Sequence, residues 1–465
     1  MSPTTAQRNM VPNLTRQLLP LLAILPTACL AQPPPPPTPS PTAGSQASPP
    51  AATPSPAPAP TPNPTPAPPS PSPSPAPLPT PSPGPSPSPD ARNLAERHAE
   101  LLQATLDEQL ESRRIPGAAA VVTFADGSRW SGVAGPSSLR PAEPVSAETG
   151  FVVGSITKTF VTALVLQLAD EGVLELDGPL ARWLPDYPRA RRVTLRQLLS
   201  HTSGVFNHFE HPQYESLVFG RPSHEWAPQE ILDQFRRPAY FAPGEGFHYS
   251  NTGFVLLGMV IEEATESSLG DELRRRFFEP LGLNDTYFQA AGPQPGWAHG
   301  YLLGASGHRL VSAGSDYRPS RSAASVAWAA GAVVSTAEDI AVWVEALYGG
   351  DVLTAASRAQ LMDYRYSPHP AGTYALGTRT RLVQGARAFG HTGSLRGYMA
   401  AMWHFAQEEI TVVVLTNLGR YDGNRLADRL VAPALLASGE PVAEPPDETP
   451  AGPAESPGEV SSPAL

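Results

Sequence analysis

Proline decides first where this chain can fold. From Pro33 to Pro89 the sequence is mostly Pro, Ser, Ala and Thr, with no charged residue and no apolar periodicity. Proline fixes φ and lacks a backbone donor, and a run this poor in apolar side chains cannot offset its chain entropy by burial. The expectation is an extended linker, residues 32–89, rising about 3.1 Å per residue and reaching on the order of 175 Å if fully stretched. A second Pro/Glu-rich run without a basic residue follows Ser438 and reads as a disordered tail, residues 439–465. Residues 90–438, Asp90 to Ser438, are left to build one domain.

Ahead of the linker, Arg8 and Arg16 precede the apolar run Leu18–Leu25, and the small residues Thr27 and Ala28 lead to Cys29, the only cysteine. This is the pattern of an export signal over residues 1–31, and its apolar run is too short for a permanent span. Cys29 has two readings. As the first residue of a mature chain it is a lipidation candidate that would anchor the protein to a membrane, with the linker as tether. Pro26, however, stands where the lipoprotein pattern has leucine. Cleavage after Ala31 would remove the cysteine altogether. Neither reading allows a disulfide within one chain. The formal net charge of −11, with no basic cluster, argues against a nucleic-acid partner.

Within the domain, Asn93–Arg114 carries Leu94, Leu101, Leu102, Leu106 and Leu110 at helical spacing. Gly117–Phe124 and Arg129–Val133 alternate around Asp126-Gly127, a hairpin signal. Tyr398–Phe405 and the β-branched run Ile410–Leu415 read as strands, and Asn424–Leu436 as a helix. Strands at both ends with helical patterns between them predict one α+β unit whose middle is a helical insertion.

At the centre of that unit lies Gly154–Phe160, GSITKTF, and it holds Lys158, the only lysine in the chain. Ile156–Ala169 is apolar almost all round, as a buried helix reads, with Gly172 as its stop. Ser155 and Lys158 lie three apart and share a face of the first turn. Arginine keeps its proton at any usable pH, whereas a desolvated lysine can lose it and act as a base. To do so near neutrality it needs a pKa drop of about 3 units, or roughly 4 kcal/mol. The helix N-terminus, burial and a second cation are the available sources.

Two further motifs give S-x-x-K its weight. Tyr249-Ser250-Asn251 follows a turn with Pro243, Gly244 and Gly246 and precedes the apolar run Phe254–Ala264; read plainly, Asn251 would be a helix cap. His391-Thr392-Gly393 lies before a strand-like run and by itself would pass for a turn. S-x-x-K, Y-x-N and K/H-T-G in that order resemble the serine beta-lactamase and penicillin-binding-protein superfamily, over nearly all of Asn93–Leu436. Leu198–Gly204 (LLSHTSG) and Gly331–Trp343 (GAVVSTAEDIAVW) are similar to the same family. With His391 where many members carry lysine, the chain is most similar to the class C-like D-alanyl-D-alanine carboxypeptidases and related esterases.

The resemblance implies an α+β fold, an antiparallel sheet flanked by helices plus a mainly helical subdomain, with the site in the cleft between. It also implies roles. Ser155 would form an acyl-enzyme, Lys158 would take or relay its proton, and Tyr249 would serve the leaving group and the deacylating water. Asn251 would bind a substrate amide. His391 would complete the polar wall and help hold the Tyr249 phenol low in pKa, giving activity a limb in mildly acidic pH. Thr392 and Ser394 would contact a substrate carboxylate, and the N–H groups of Ser155 and of Ser394, beyond Gly393, would form the oxyanion hole.

No cofactor or metal is expected. His201, His208, His211 and His224 lack zinc-site spacing and read as loop or cleft residues. No G-x-S-x-G elbow is present. Among substrates, D-Ala-D-Ala peptides derived from peptidoglycan suit an exported enzyme, and Arg379, Arg381 and Arg396 lie close in sequence to the last motif as partners for a terminal carboxylate. Small esters, beta-lactams and other D-amino-acid amides suit the same serine. A non-turnover penicillin-binding sensor or wall-binding module is the reading from another class.

Overall fold

The computed structural model describes residues 93–288, 296–304, 307–310, 320–364, 373–419 and 422–437. The export signal with Cys29, the linker at 32–89 and the tail at 439–465 lie outside the described residues.

The first helix, α1 (Leu94–Arg113), is capped by Asn93, whose side chain accepts from the Glu96 N–H. It buries Leu102, Leu106 and Leu110. Leu101, counted with them in the apolar pattern, is 54% exposed: one residue from Leu102, it sits about 100° round the helix on the solvent side. The predicted hairpin follows as β1 (Ala118–Thr123) and β2 (Arg129–Ala134), turning at Gly127 with φ +77°. After a long insertion the chain returns as β3 (Arg379–Val383), β4 (Ala386–Leu395), β5 (Tyr398–Phe405) and β6 (Ile410–Thr416).

These six strands form one sheet, ordered β3-β4-β5-β6-β1-β2, with every neighbour antiparallel. Pairing β6 with β1, Ala118 opposite Thr416, joins the two ends of the domain. All seven residues of β6 are buried, which explains its unbroken apolar run. One sheet face, with Ala120, Val122, Val412 and Val414, packs on α1 and on Leu426 and Leu430 of the last helix. The other, with Val121, Val413 and Leu415, packs into the core of the insertion. The fold is thus the expected α+β arrangement.

Three helices of the insertion carry Lys158 and Asn251 and brace them against the sheet. A single 3₁₀ turn, Gly154–Ile156, leads into α2 (Thr157–Asp170), which is buried nearly all round. The equally buried α3 (Asn251–Thr265) packs beside it, and α4 (Ala337–Tyr348) lies against the sheet. Trp343 of α4 stacks on Phe160 of α2 at 3.9 Å between ring centroids, and its Nε1–H donates to Thr159 Oγ1 at 2.9 Å. That contact couples the insertion to the sheet. Trp343→Ala is therefore expected to cost about 3–5 kcal/mol, while Leu101→Ala stays within about 0.5 kcal/mol, read from urea unfolding midpoints.

Candidate active site

Gly154 has φ +52°, and a side chain there would sit 2.7 Å from the Ser394 nitrogen. Glycine at 393 is required for the reciprocal reason: a Cβ would fall 1.8 Å from the Val153 carbonyl oxygen and 3.2 Å from the Ser155 nitrogen. The two glycines let the turn carrying Ser155 press against β4, so the N–H groups of Ser155 and Ser394 come to one place. Neither glycine tolerates a substituent.

One turn on, Lys158 is fully buried. Its Nζ lies 3.0 Å from Ser155 Oγ, 2.8 Å from Asn251 Oδ1 and 2.7 Å from the Ala330 carbonyl oxygen. An ammonium would donate to all three. A neutral amine has two N–H bonds, which the two pure acceptors Asn251 Oδ1 and Ala330 O take, leaving its lone pair to receive the Ser155 hydroxyl proton. Burial holds the lysine pKa well below its usual value, and the nearby Arg379 guanidinium lowers it further. Arg379 thus supplies the second cation, which the sequence left unnamed.

Asn251 opens α3, but the helix cap is Ser250, whose Oγ accepts from the Gly253 N–H. Asn251 instead holds the base: its Oδ1 accepts from Lys158, and its Nδ2 donates to Asn207 Oδ1 at 3.1 Å. Most of its capacity for a substrate amide is thereby used. Tyr249 lies beside them, its ring centroid 4.9 Å from Lys158 Nζ. Its hydroxyl is buried and, among the described residues, has no partner in full hydrogen-bond geometry. Burial pushes this phenol up to about 12, against smaller opposing effects of Arg379 and the nearby Ser155 hydroxyl. The expectation of a low phenol pKa fails because desolvation outweighs the adjacent charge.

His391-Thr392-Gly393 lies within β4, not in a turn. His391 is buried, and its pKa is held well below the usual histidine value by burial first, then by Arg379 and Lys158. It stays neutral in mildly acidic solution, so the expected histidine limb is withdrawn. Thr392 is half-buried and Ser394 exposed.

The structure separates the three arginines. Arg381 pairs with Asp428 at 2.7 Å over the Trp403 ring, and Arg396 pairs with Glu215 at 2.7 Å over the Phe219 ring. Arg379 lies 5.7 Å from the Tyr249 ring centroid, makes no ion pair among the described residues, and has a buried Nε without a hydrogen-bond partner. The four histidines also part: His201 bonds Tyr374, His208 bonds Thr252 and the Val326 carbonyl, His211 accepts from the Gln213 N–H, and His224 bonds Glu230. Among the described residues no three His, Cys, Asp or Glu side chains are grouped to hold a metal ion.

Sequence reasoning missed Asn207 and Tyr374, and gave His201 no specific role. Tyr374 joins His201 to His391, its hydroxyl 3.0 Å and 3.3 Å from their Nε2 atoms. A lone asparagine or tyrosine in an irregular stretch carries no signal of this kind; only His201, inside LLSHTSG, was flagged by resemblance.

A family model described as Beta-lactamase matches residues 102–436. The chain is 33% identical over 217 residues to Esterase EstB of Burkholderia gladioli, covering 44% of this chain and 54% of that protein. It is 34% identical over 190 residues to Penicillin-binding protein 4 of Amycolatopsis lactamdurans, covering 40% and 48%. The matches thus span about half the length of these curated relatives. Among solved structures, a D-amino acid amidase from Ochrobactrum anthropi SV3 aligns with a TM-score of 0.64 at 27% identity, covering 73% of this chain and 99% of that one. With Ser155 bonded to the buried Lys158 at the junction of sheet and helical insertion and a family match over most of its length, the chain belongs to the beta-lactamase family.

Proposed function

We propose that the chain is an exported, tethered serine hydrolase that cleaves peptides ending in a carboxylate, acting as a D-alanyl-D-alanine carboxypeptidase does on cell-wall stems. Arg379 carries this reading: a guanidinium without a counter-ion among the described residues, beside the phenol that faces the nucleophile. A half-buried guanidinium whose Nε is buried and unbonded gains from an anionic ligand that accepts from it. The export signal and the Pro-rich tether would keep such an enzyme beside the wall.

Neutral Lys158 takes the Ser155 proton as Oγ bonds to the acyl carbon, and the carbonyl electrons move onto oxygen, facing the Ser155 and Ser394 N–H groups. The bond to the leaving group then breaks, and the Tyr249 phenol supplies its proton. Lys158, now an ammonium, returns a proton to Tyr249. Water repeats the sequence on the acyl-enzyme and frees Ser155. A phenol with a pKa of about 12 suits the donor role, and a lysine of depressed pKa suits the acceptor role.

Intact mass after mixing with a penicillin is expected to reveal an acyl adduct, or turnover of the drug, that is lost in Ser155→Ala; an adduct in the variant would remove Ser155 from the mechanism. A wild-type adduct that never turns over, with no hydrolysis of simple esters, would favour the sensor reading.

Carboxylate recognition predicts a selectivity change. Arg379→Ala should lower kcat/KM for an acid-terminated D-Ala-D-Ala peptide, relative to the same peptide as its amide, by about 10- to 100-fold, since hydrogen bonds to charged groups are worth about 1.5–3 kcal/mol. Any change in Lys158 affects both peptides and cancels in the ratio. An unchanged ratio would favour the esterase reading.

The same substitution has a pH signature. Activity needs Lys158 neutral, so kcat/KM falls as pH drops through its lowered pKa. Removing the Arg379 charge raises that pKa and should move the acid limb to higher pH, whereas His391→Gln should leave the limb in place.

A further inference from the structure

We infer that His201 and Tyr374 are positioning residues for Tyr249, acting through a hydrogen-bond chain of fixed direction that ties the start of α3 to β4. The inference rests on the proposed acyl transfer at Ser155 and adds two residues to it.

The direction follows from a single backbone group. The Ser250 N–H can only donate, and it donates to His201 Nδ1 at 3.1 Å. His201 therefore carries its proton on Nε2, which donates to the Tyr374 oxygen at 3.0 Å. The Tyr374 hydroxyl proton is left for His391 Nε2 at 3.3 Å, and His391 must carry its own on Nδ1, where it donates to the Thr392 carbonyl oxygen. Each link sets the next, and every member is neutral.

This chain surrounds Tyr249. The His248 N–H donates to the His201 carbonyl oxygen at 3.0 Å, so together with the Ser250 N–H the residues on both sides of Tyr249 are fastened to His201. His201 can meet both because its backbone is left-handed, φ +58°. The rings of His201, Tyr374 and His391 lie 4.2, 6.0 and 6.3 Å from the Tyr249 ring, centroid to centroid. Among the described residues the Tyr249 hydroxyl meets no partner in full hydrogen-bond geometry, although the Ser155 hydroxyl lies near it. Its aim toward Ser155 is set by the cage around its ring, and the cage is held by the chain.

Two substitutions cut different links. Tyr374→Phe removes the central hydroxyl and keeps the ring. His201→Asn keeps an acceptor for the Ser250 N–H, tolerates the left-handed backbone and deletes the donation to Tyr374. The measurement is kcat/KM across esters of one acyl group whose leaving alcohols run from p-nitrophenol, which departs without help, to an alkyl alcohol, which needs the Tyr249 proton. Both variants should lose more on the alkyl ester, raising the nitrophenyl-to-alkyl ratio by about tenfold, a fraction of what a general acid contributes. In a Tyr249→Phe background neither substitution should change the ratio further. Equal losses across the series, or loss of folding in both variants, would give the two residues a purely structural role and overturn the inference. If Ser155→Ala kept full ester hydrolysis, the acyl-transfer reading itself would have failed instead.

Discussion

The site depends on one desolvated amine. Lys158 is surrounded by protein, and its two strongest acceptors, an asparagine amide oxygen and a backbone carbonyl oxygen, are uncharged. A carboxylate in either place would have stabilised the ammonium and removed the base. With neutral acceptors the amine can shed its proton and still satisfy its remaining N–H bonds. Asn207 in turn holds Asn251 through both its backbone and side-chain N–H groups, so the acceptor cannot swing away from the lysine.

The same logic extends to the neighbouring groups. Lys158, His201 and His391 are each pushed toward the neutral form by burial, and Tyr249 and Tyr374 are kept as phenols by it. Arg379 is the group that cannot respond this way, because guanidinium does not give up its proton. A site of neutral side chains around one fixed positive charge is electrostatically incomplete until an anion arrives. On the proposed reading such a site would discriminate by charge before any shape is compared, and Arg379, the cation that would bind the anion, also lowers the Lys158 pKa. On that reading binding and activation would share one residue.

Much of this was legible from residue order alone. The long helices and the hairpin are written in apolar periodicity, and S-x-x-K and Y-x-N mark residues whose spacing or sequence neighbours bring them together. What the sequence concealed is what the tertiary structure decides. Whether Arg379, Arg381 or Arg396 faces the cleft depends on which of them finds a carboxylate elsewhere, and Asp428 and Glu215 are distant in the chain. The Tyr249 phenol was expected low because of His391 in the same wall; its high value follows from burial, which no local pattern records. Apart from the motif, His391-Thr392-Gly393 would pass for a turn, whereas it is strand, and its glycine lets that strand approach the Ser155 turn. The partners that bring Asn207 and Tyr374 into the site, Asn251 for the one and His201 and His391 for the other, are distant in the chain.

The histidine of the last motif is explained by the charges already present. At position 391 a side chain lies close enough to Arg379 and Lys158 for both to disfavour a positive charge on it. Lysine there would be a third basic group in one desolvated space. It would either lose its proton or, keeping it, compete with Arg379 for an incoming anion and depress Lys158 still further. Histidine avoids the conflict, because its ordinary pKa is near neutrality and modest burial is enough to make it neutral. Once neutral it can accept from Tyr374 on one side and donate to a backbone carbonyl on the other, which an ammonium, having only donors, could not do. The exchange of lysine for histidine and the recruitment of His201 and Tyr374 are thus one physical solution: a wall of the cleft held by directed hydrogen bonds instead of by charge, which leaves Arg379 as the cation that the proposed carboxylate would meet.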